Sequence, residues 1–283
     1  DLSMFGDLQG RVSGFLGNPN MLGAYLVIAF PLALGQIKVS QKKISKFMYF
    51  LAALLIIVCT VLTGSRGAWI GLIVAIVAFF VIYNFKNIWF VILAGALIPL
   101  WQTVLPDYII NRFSSIFTMA DSSVQMRLNI WRGAWNMAMD NWLAGIGVGE
   151  HAFRLVYNDY AVQGAESAVH THSLLLQIFV DVGLVGLIVF AGIMFMYGQK
   201  CAVEIKHGNQ SSKSRTMIVA GLSSIIGAFV MGLTDNIWYN YRVFIMFWIV
   251  VALTISLSRV NVRERESTRI ISNMTSADIE FNR

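Results

Sequence analysis

Apolar residues dominate this chain in long runs rather than in alternation. Met21 to Ile37 is the first run, interrupted at Pro31. Phe47 to Leu62, Ala68 to Tyr83 and Ile88 to Val104 follow. Leu174 to Tyr197, Ile218 to Leu233 and Val243 to Leu257 complete the set. Each is close to the roughly 20 residues that cross a hydrocarbon core. In lipid every backbone polar group must be satisfied within the protein, so such runs are read as helices. None alternates as a barrel strand would. The pattern predicts an all-α, polytopic transmembrane bundle of about seven spans.

The same pattern divides the chain. Residues 1–20 form a lead-in, 21–104 four spans, 105–171 one long loop, 172–257 three spans and 258–283 a tail. Asn18-Pro19 reads as a helix start, Asn as cap and Pro in the first helical position. Within the loop, Leu128, Trp131, Trp135, Ala138 and Trp142 recur at steps of three and four between Ser123 and Leu143. That period predicts an amphipathic helix with a tryptophan stripe suited to a membrane interface. Arg132, Asn136 and Asp140 fall on its wetter side. Arg127 falls beside the stripe and is expected to turn toward the bundle.

Composition agrees with the pattern. Hydrophobic residues make up 57% and charged residues 13%, about half the charge of an ordinary soluble domain. The net charge of +6 does not point to nucleic acid, because the cations alternate along the chain. Lys38, Lys42, Lys43, Lys46, Lys86, Lys200, Lys206, Lys213 and Arg215 lie in one set of connections, and Arg259 to Arg269 follow the last span. The positive-inside rule places that set in the cytoplasm. The lead-in, the Thr63–Gly67 turn, the long loop and the Thr234–Arg242 turn are then external. Every cation on that outer side is arginine: Arg11, Arg66, Arg112, Arg127, Arg132, Arg154 and Arg242. A guanidinium stays charged and grips phosphate oxygens as a fork. The bias suits a lipid diphosphate, although topology alone also keeps lysine inside. Cys59 and Cys201 fall in different places and imply no disulfide.

Candidate chemistry gathers at the entrance of the fifth span, at His170-Thr171-His172-Ser173. Histidine is the side chain suited to moving a proton near neutral pH. The H-x-H spacing also permits zinc, but the neighbourhood lacks a further Cys or His ligand. Asp181 is costly in lipid and is read as structurally paired. Asp235 is a second candidate carboxylate in an outer turn, where solvation is the default. Gly183 and Gly186 are read as helix-packing positions. Gly145 to Gly149 lacks the spacing of a nucleotide-binding loop and is read as a turn.

These residues resemble the O-antigen ligase and Wzy polymerase superfamily. His172-Ser173, then Leu174 to Val182, then Gly183-Leu-Val-Gly186 follow its histidine pattern. Gly17 to Asn20, Ser65-Arg66-Gly67, Arg127-Leu-Asn-Ile-Trp131 and Gly145 to Gly149 match further motifs in order. Members of that family carry more helices than are read here.

The resemblance implies a metal-independent membrane glycosyltransferase without cofactors, in a bacterial cytoplasmic membrane. Its site would face outward. Its partners would be a polyprenyl-diphosphate-linked glycan donor, a hydroxyl acceptor on a glycan or lipid, and membrane lipids. It further implies His172 as general base, with Arg66 and Arg127 holding the donor diphosphate. Arg132, His170, Arg154, Trp131 and Asp235 complete the expected substrate-contacting set. A small-solute transporter and a non-catalytic subunit of a glycan assembly complex are the competing readings.

Overall fold

The computed structural model describes residues 11–89, 92–93, 122–208 and 212–259. It is helical as expected. We number the helices α1 (Pro19–Val39), α2 (Lys43–Leu62), α3 (Arg66–Tyr83), α4 (Ser122–Asp140), α5 (Glu150–Tyr157), α6 (Leu174–His207), α7 (Lys213–Gly232) and α8 (Tyr241–Arg259). Among the described residues six helices, all but α4 and α5, are long and apolar enough to cross a membrane. The predicted span Ile88 to Val104, Arg112 and the start of the long loop lie mostly or wholly outside the described residues, as does most of the tail.

Small residues let α1, α3 and α7 pack as a tight trio. A Cβ on Gly71 would sit 2.9 Å from the Gly227 carbonyl oxygen, and one on Gly227 2.7 Å from that of Gly71. Gly23 lies equally close to Ala68. Without a hydrophobic drive between helices in lipid, such close backbone approach is what holds them together. α7 is the most buried span, and α2 turns most of its surface outward.

Chain direction then decides which residues meet. α1, α3 and α6 all begin at the end of the bundle where α7 finishes. Asn18 caps α1 by accepting from the backbone N–H groups of Asn20 and Met21. Ser65 caps α3, which makes Arg66 its first residue. The turn after α7 carries Asp235 and is pinned by Trp238, whose ring packs against Phe190 of α6 and Phe244, Phe247 and Trp248 of α8.

α6 departs from expectation. Gly183 has φ +66° and ψ −169°, a break inside the helix. The backbone groups it frees are taken up by the segment after α4. Ile146 N–H donates to the Val180 carbonyl, Gly147 N–H to that of Asp181, and Leu184 N–H to that of Trp142. Gly183 is therefore a stitched interruption rather than a helix-packing contact. A Cβ there would collide with the Leu143 carbonyl group. Gly145 presses on Asp181 from the other side, so the two glycine motifs are halves of one junction.

α4 also differs from the single stripe predicted. Ile130, Gly133, Ala134, Met137 and Ala138 are buried. They pack with Phe153 and Tyr157 of α5 and Val180 of α6 in a second core apart from the bundle. Trp135, Met139 and Trp142 are exposed. The helix thus has two apolar faces, and it runs beside the first turns of α6 in the same direction, Trp131 near Thr171 and Trp135 near Phe179.

The stitched break gives a direct expectation. Gly183→Ala adds a Cβ at positive φ, costing about 1–2 kcal/mol before the clash is counted. The melting temperature of the purified protein should fall by about 5 °C or more. Gly192→Ala, where a Cβ meets open space, should leave it unchanged or slightly raised.

Candidate active site

The site end of the bundle holds a buried carboxylate. Asp235 is only 4% exposed, which overturns the reading of it as a solvated turn residue. Its Oδ2 accepts from Asn20 Nδ2 at 2.6 Å. Its Oδ1 lies 3.2 Å from His172 Nδ1, and Arg127 approaches Oδ2 to 4.0 Å. Burial pushes the carboxyl pKa up. The His172 hydrogen bond and the charges of His172 and Arg127 outweigh burial and hold it below its usual value. Asp235 is therefore ionised and can only accept. It follows that His172 Nδ1 carries the hydrogen that faces the carboxylate, which leaves Nε2 as the ring nitrogen free to exchange a proton.

His172 sits in a strained backbone. Its φ of +50° makes it the sole non-glycine residue in the left-handed region among the described residues. Such strain persists only where the surroundings over-determine it. Here His172 N–H donates to His170 Nδ1 at 3.1 Å, and the two rings lie 4.1 Å apart between centroids. Thr171 N–H donates to Gln177 Oε1, and Gln177 Nε2 donates to Asp181 Oδ1, each at 2.8 Å. Asp181 has the structural pairing expected of it, and the pair braces the histidine segment from α6. Trp131 Nε1 donates to the Thr171 carbonyl at 2.8 Å, tying α4 to the same point.

Arg66 reaches the site through α4. Its guanidinium donates to Ser123 Oγ at 2.8 Å. Ser123 lies one helical turn before Arg127 on the same face. The residue after Arg66, Gly67, packs against Thr234, the neighbour of Asp235. Ser123 and Gly67 thus place Arg66 at the same end of the bundle as Arg127 and the His172–Asp235 pair.

The other predicted residues are placed differently. His170 is buried beside His172 and also packs on Tyr239, 4.5 Å between ring centroids. Arg154 is exposed and pairs with Glu150 at 2.6 Å. Tyr239 OH donates to Glu150 at 2.9 Å, so Arg154 joins the histidines only through that chain. Arg132 is exposed, about 140° around α4 from Arg127 at 3.6 residues per turn, and is not brought to the histidines.

Sequence reasoning gave no site contact to Asn20, Ser123, Gln177 or Tyr239, and counted Arg11 only among the outer arginines. Arg11 donates from its guanidinium to Asn20 Oδ1 at 2.9 Å and to the Thr63 carbonyl at 2.8 Å. Asn20 stood inside a quoted motif, but its contact with a carboxylate more than two hundred positions away left no local signal.

His170, His172 and Asp235 each offer one ligand atom within 4.8 Å of the others, so a third metal ligand exists that the local H-x-H pattern did not reveal. A cation there would have to displace the contacts these residues make with one another. His172 and Asp235 already satisfy each other, His170 Nδ1 is engaged by a backbone N–H, and a guanidinium stands nearby.

The O-antigen ligase family model matches residues 51–191, the stretch that holds Arg66, Arg127, both histidines and the α6 break. The chain is a multi-pass helical membrane protein and belongs to the O-antigen ligase-like superfamily. A curated relative is the teichuronic acid biosynthesis protein TuaE of Bacillus subtilis (strain 168), 23% identical over 266 residues. That alignment covers 88% of this chain and 52% of TuaE, so the chain spans about half the length of that relative.

The His170 environment predicts a pH effect. Burial first, then the neighbouring His172, lower its pKa from 6.5 to about 4. Between those values the unfolded chain binds a proton that the folded chain refuses, so stability rises with pH across that window. The full effect is on the order of 3 kcal/mol. Thermal unfolding in detergent from pH 4 to pH 7 should show this rise, and His170→Gln should flatten it.

Proposed function

We propose that this protein transfers a glycan from a polyprenyl-diphosphate donor to an acceptor hydroxyl at the outer face of the cytoplasmic membrane. The observation that carries the reading is the His172–Asp235 pair with Arg127 beside it. His172 Nε2 takes the acceptor proton as the acceptor oxygen bonds the anomeric carbon. The bond from that carbon to the phosphate oxygen breaks, and its electron pair leaves with the polyprenyl diphosphate. Asp235 holds the imidazole tautomer and stabilises the imidazolium that forms, as the carboxylate does in a hydrolase triad. Arg66 and Arg127 hold the diphosphate where negative charge develops, and fixed donors do this without reorganising. Arg127 supports that role because its approach to Asp235 is longer than a hydrogen bond, which leaves donors for phosphate.

Family membership and the likeness to a teichuronic acid biosynthesis protein support a role in glycan assembly. A transporter reading finds less support, since the groups around His172 and Asp235 lie at one end of the bundle and the other buried charges, Glu204 and Arg215, lie at the opposite end.

The reading is tested in cells by analysing surface glycan and lipid-linked intermediates. His172→Ala should abolish transfer while membrane insertion stays normal. Asp235→Asn should lower the rate by about 10²–10⁴. Glycan unchanged in His172→Ala would remove the catalytic assignment. A chelator should leave transfer in isolated membranes undiminished; loss restored by added zinc would instead favour a metal at His170, His172 and Asp235.

A further inference from the structure

α4 presents three facets. One is buried in the second core. One is polar and carries Arg132, Asn136 and Asp140. Between them lies an apolar strip of Leu128, Trp131, Trp135 and Met139, all within about 80° of one another at 3.6 residues per turn, and Trp142 in the turn that follows extends it. Trp135, Met139 and Trp142 are exposed. Their apolar surfaces stand open side by side and suit lipid or an apolar ligand.

Both ends of the strip are defined. At its head, Arg127 stands one turn before Trp131, and Trp131 is bonded to the carbonyl between the two histidines. At its foot, the Trp142 carbonyl accepts from Leu184 N–H. Leu184 opens an exposed apolar face of α6 that continues through Val185, Ile188 and Val189. Trp135 also packs against Phe179 of α6, 6.0 Å between ring centroids. The strip therefore runs without a polar break from the diphosphate-binding end to the lipid-facing surface of a span. A cation at one end and bilayer at the other match the two ends of one molecule, an anionic headgroup on a long hydrocarbon chain.

We propose that this strip seats the isoprenoid chain of the donor, from Leu128 at the headgroup to Trp142 at the bilayer. The proposal rests on the donor reading above. It assigns Trp135 and Met139 to chain contact. Bound this way, the chain fixes the direction from which the diphosphate reaches Arg66 and Arg127. The indole rings suit the task, being broad and apolar yet stable at an interface.

The test uses the full chain in phosphatidylcholine nanodiscs with a photoreactive phenylalanine at position 135, 139 or 188. The probe is a tritiated long-chain polyprenyl diphosphate, with saturable binding to the unmodified protein measured alongside. Labelling at 135 and 139 should saturate, be competed by unlabelled polyprenyl diphosphate and not by polyprenol, and fall about tenfold in Arg127→Ala, the loss expected of one charge-assisted contact. Labelling at 188, on bulk lipid, should not saturate. Saturable binding to the protein with unsaturable labelling at 135 and 139 overturns the chain seat and leaves the donor reading intact, the strip then being an interface anchor. Absence of any saturable binding overturns the donor reading and the seat with it.

Discussion

A carboxylate removed from water must be compensated, and here that need organises the end of the bundle. Asp235 is buried and ionised, so the groups around it are constrained by charge as well as by packing. Asn20 comes from α1, His172 from the entrance of α6 and Arg127 from α4. Each arrives by a different route through the fold. An unpaired buried charge costs several kcal/mol, so these helix ends are held together by the same interaction that prepares the imidazole. The chemistry and the fold share one anchor.

The rest of the structure supports that anchor in layers. Close glycine contacts bring α1, α3 and α7 to a common register. The aromatic cluster around Trp238 fixes the turn behind Asp235. Gln177 and Asp181 brace the strained backbone at His172 from one side, and the ring of His170 braces it from within. The break at Gly183 returns the long loop to α6 just below this region. α4 is consequently tied at Trp131 and, through the turn that follows it, at Trp142, and carries its arginine and its tryptophans in fixed relation to the histidines.

Much of this was legible in the sequence. Spans were readable because lipid imposes length and apolarity on each helix separately. The cap at Asn18 and the inward turn of Arg127 depend on near neighbours or on helical period, and a linear reading captures those. Asp235 was misjudged because its burial depends on Asn20 and His172, which lie far away in the chain. The two-faced character of α4 was missed for a similar reason. Ile130, Ala134 and Met137 also fit a helical period, and only the second core decides which apolar face is covered. Gly183 looked like a packing residue because its positive φ exists only where the loop segment 142–147 meets α6.

The central claim is that Asp235 acts through His172 by fixing its tautomer, so the two form a single catalytic unit. A double-mutant cycle on glycan-transfer rate in isolated membranes measures this most directly, using His172→Ala, Asp235→Asn and the double variant. Residues that act as a unit are strongly non-additive. The account predicts that the double variant is no slower than His172→Ala alone. Losses that multiply in full would contradict it and separate the carboxylate from the imidazole.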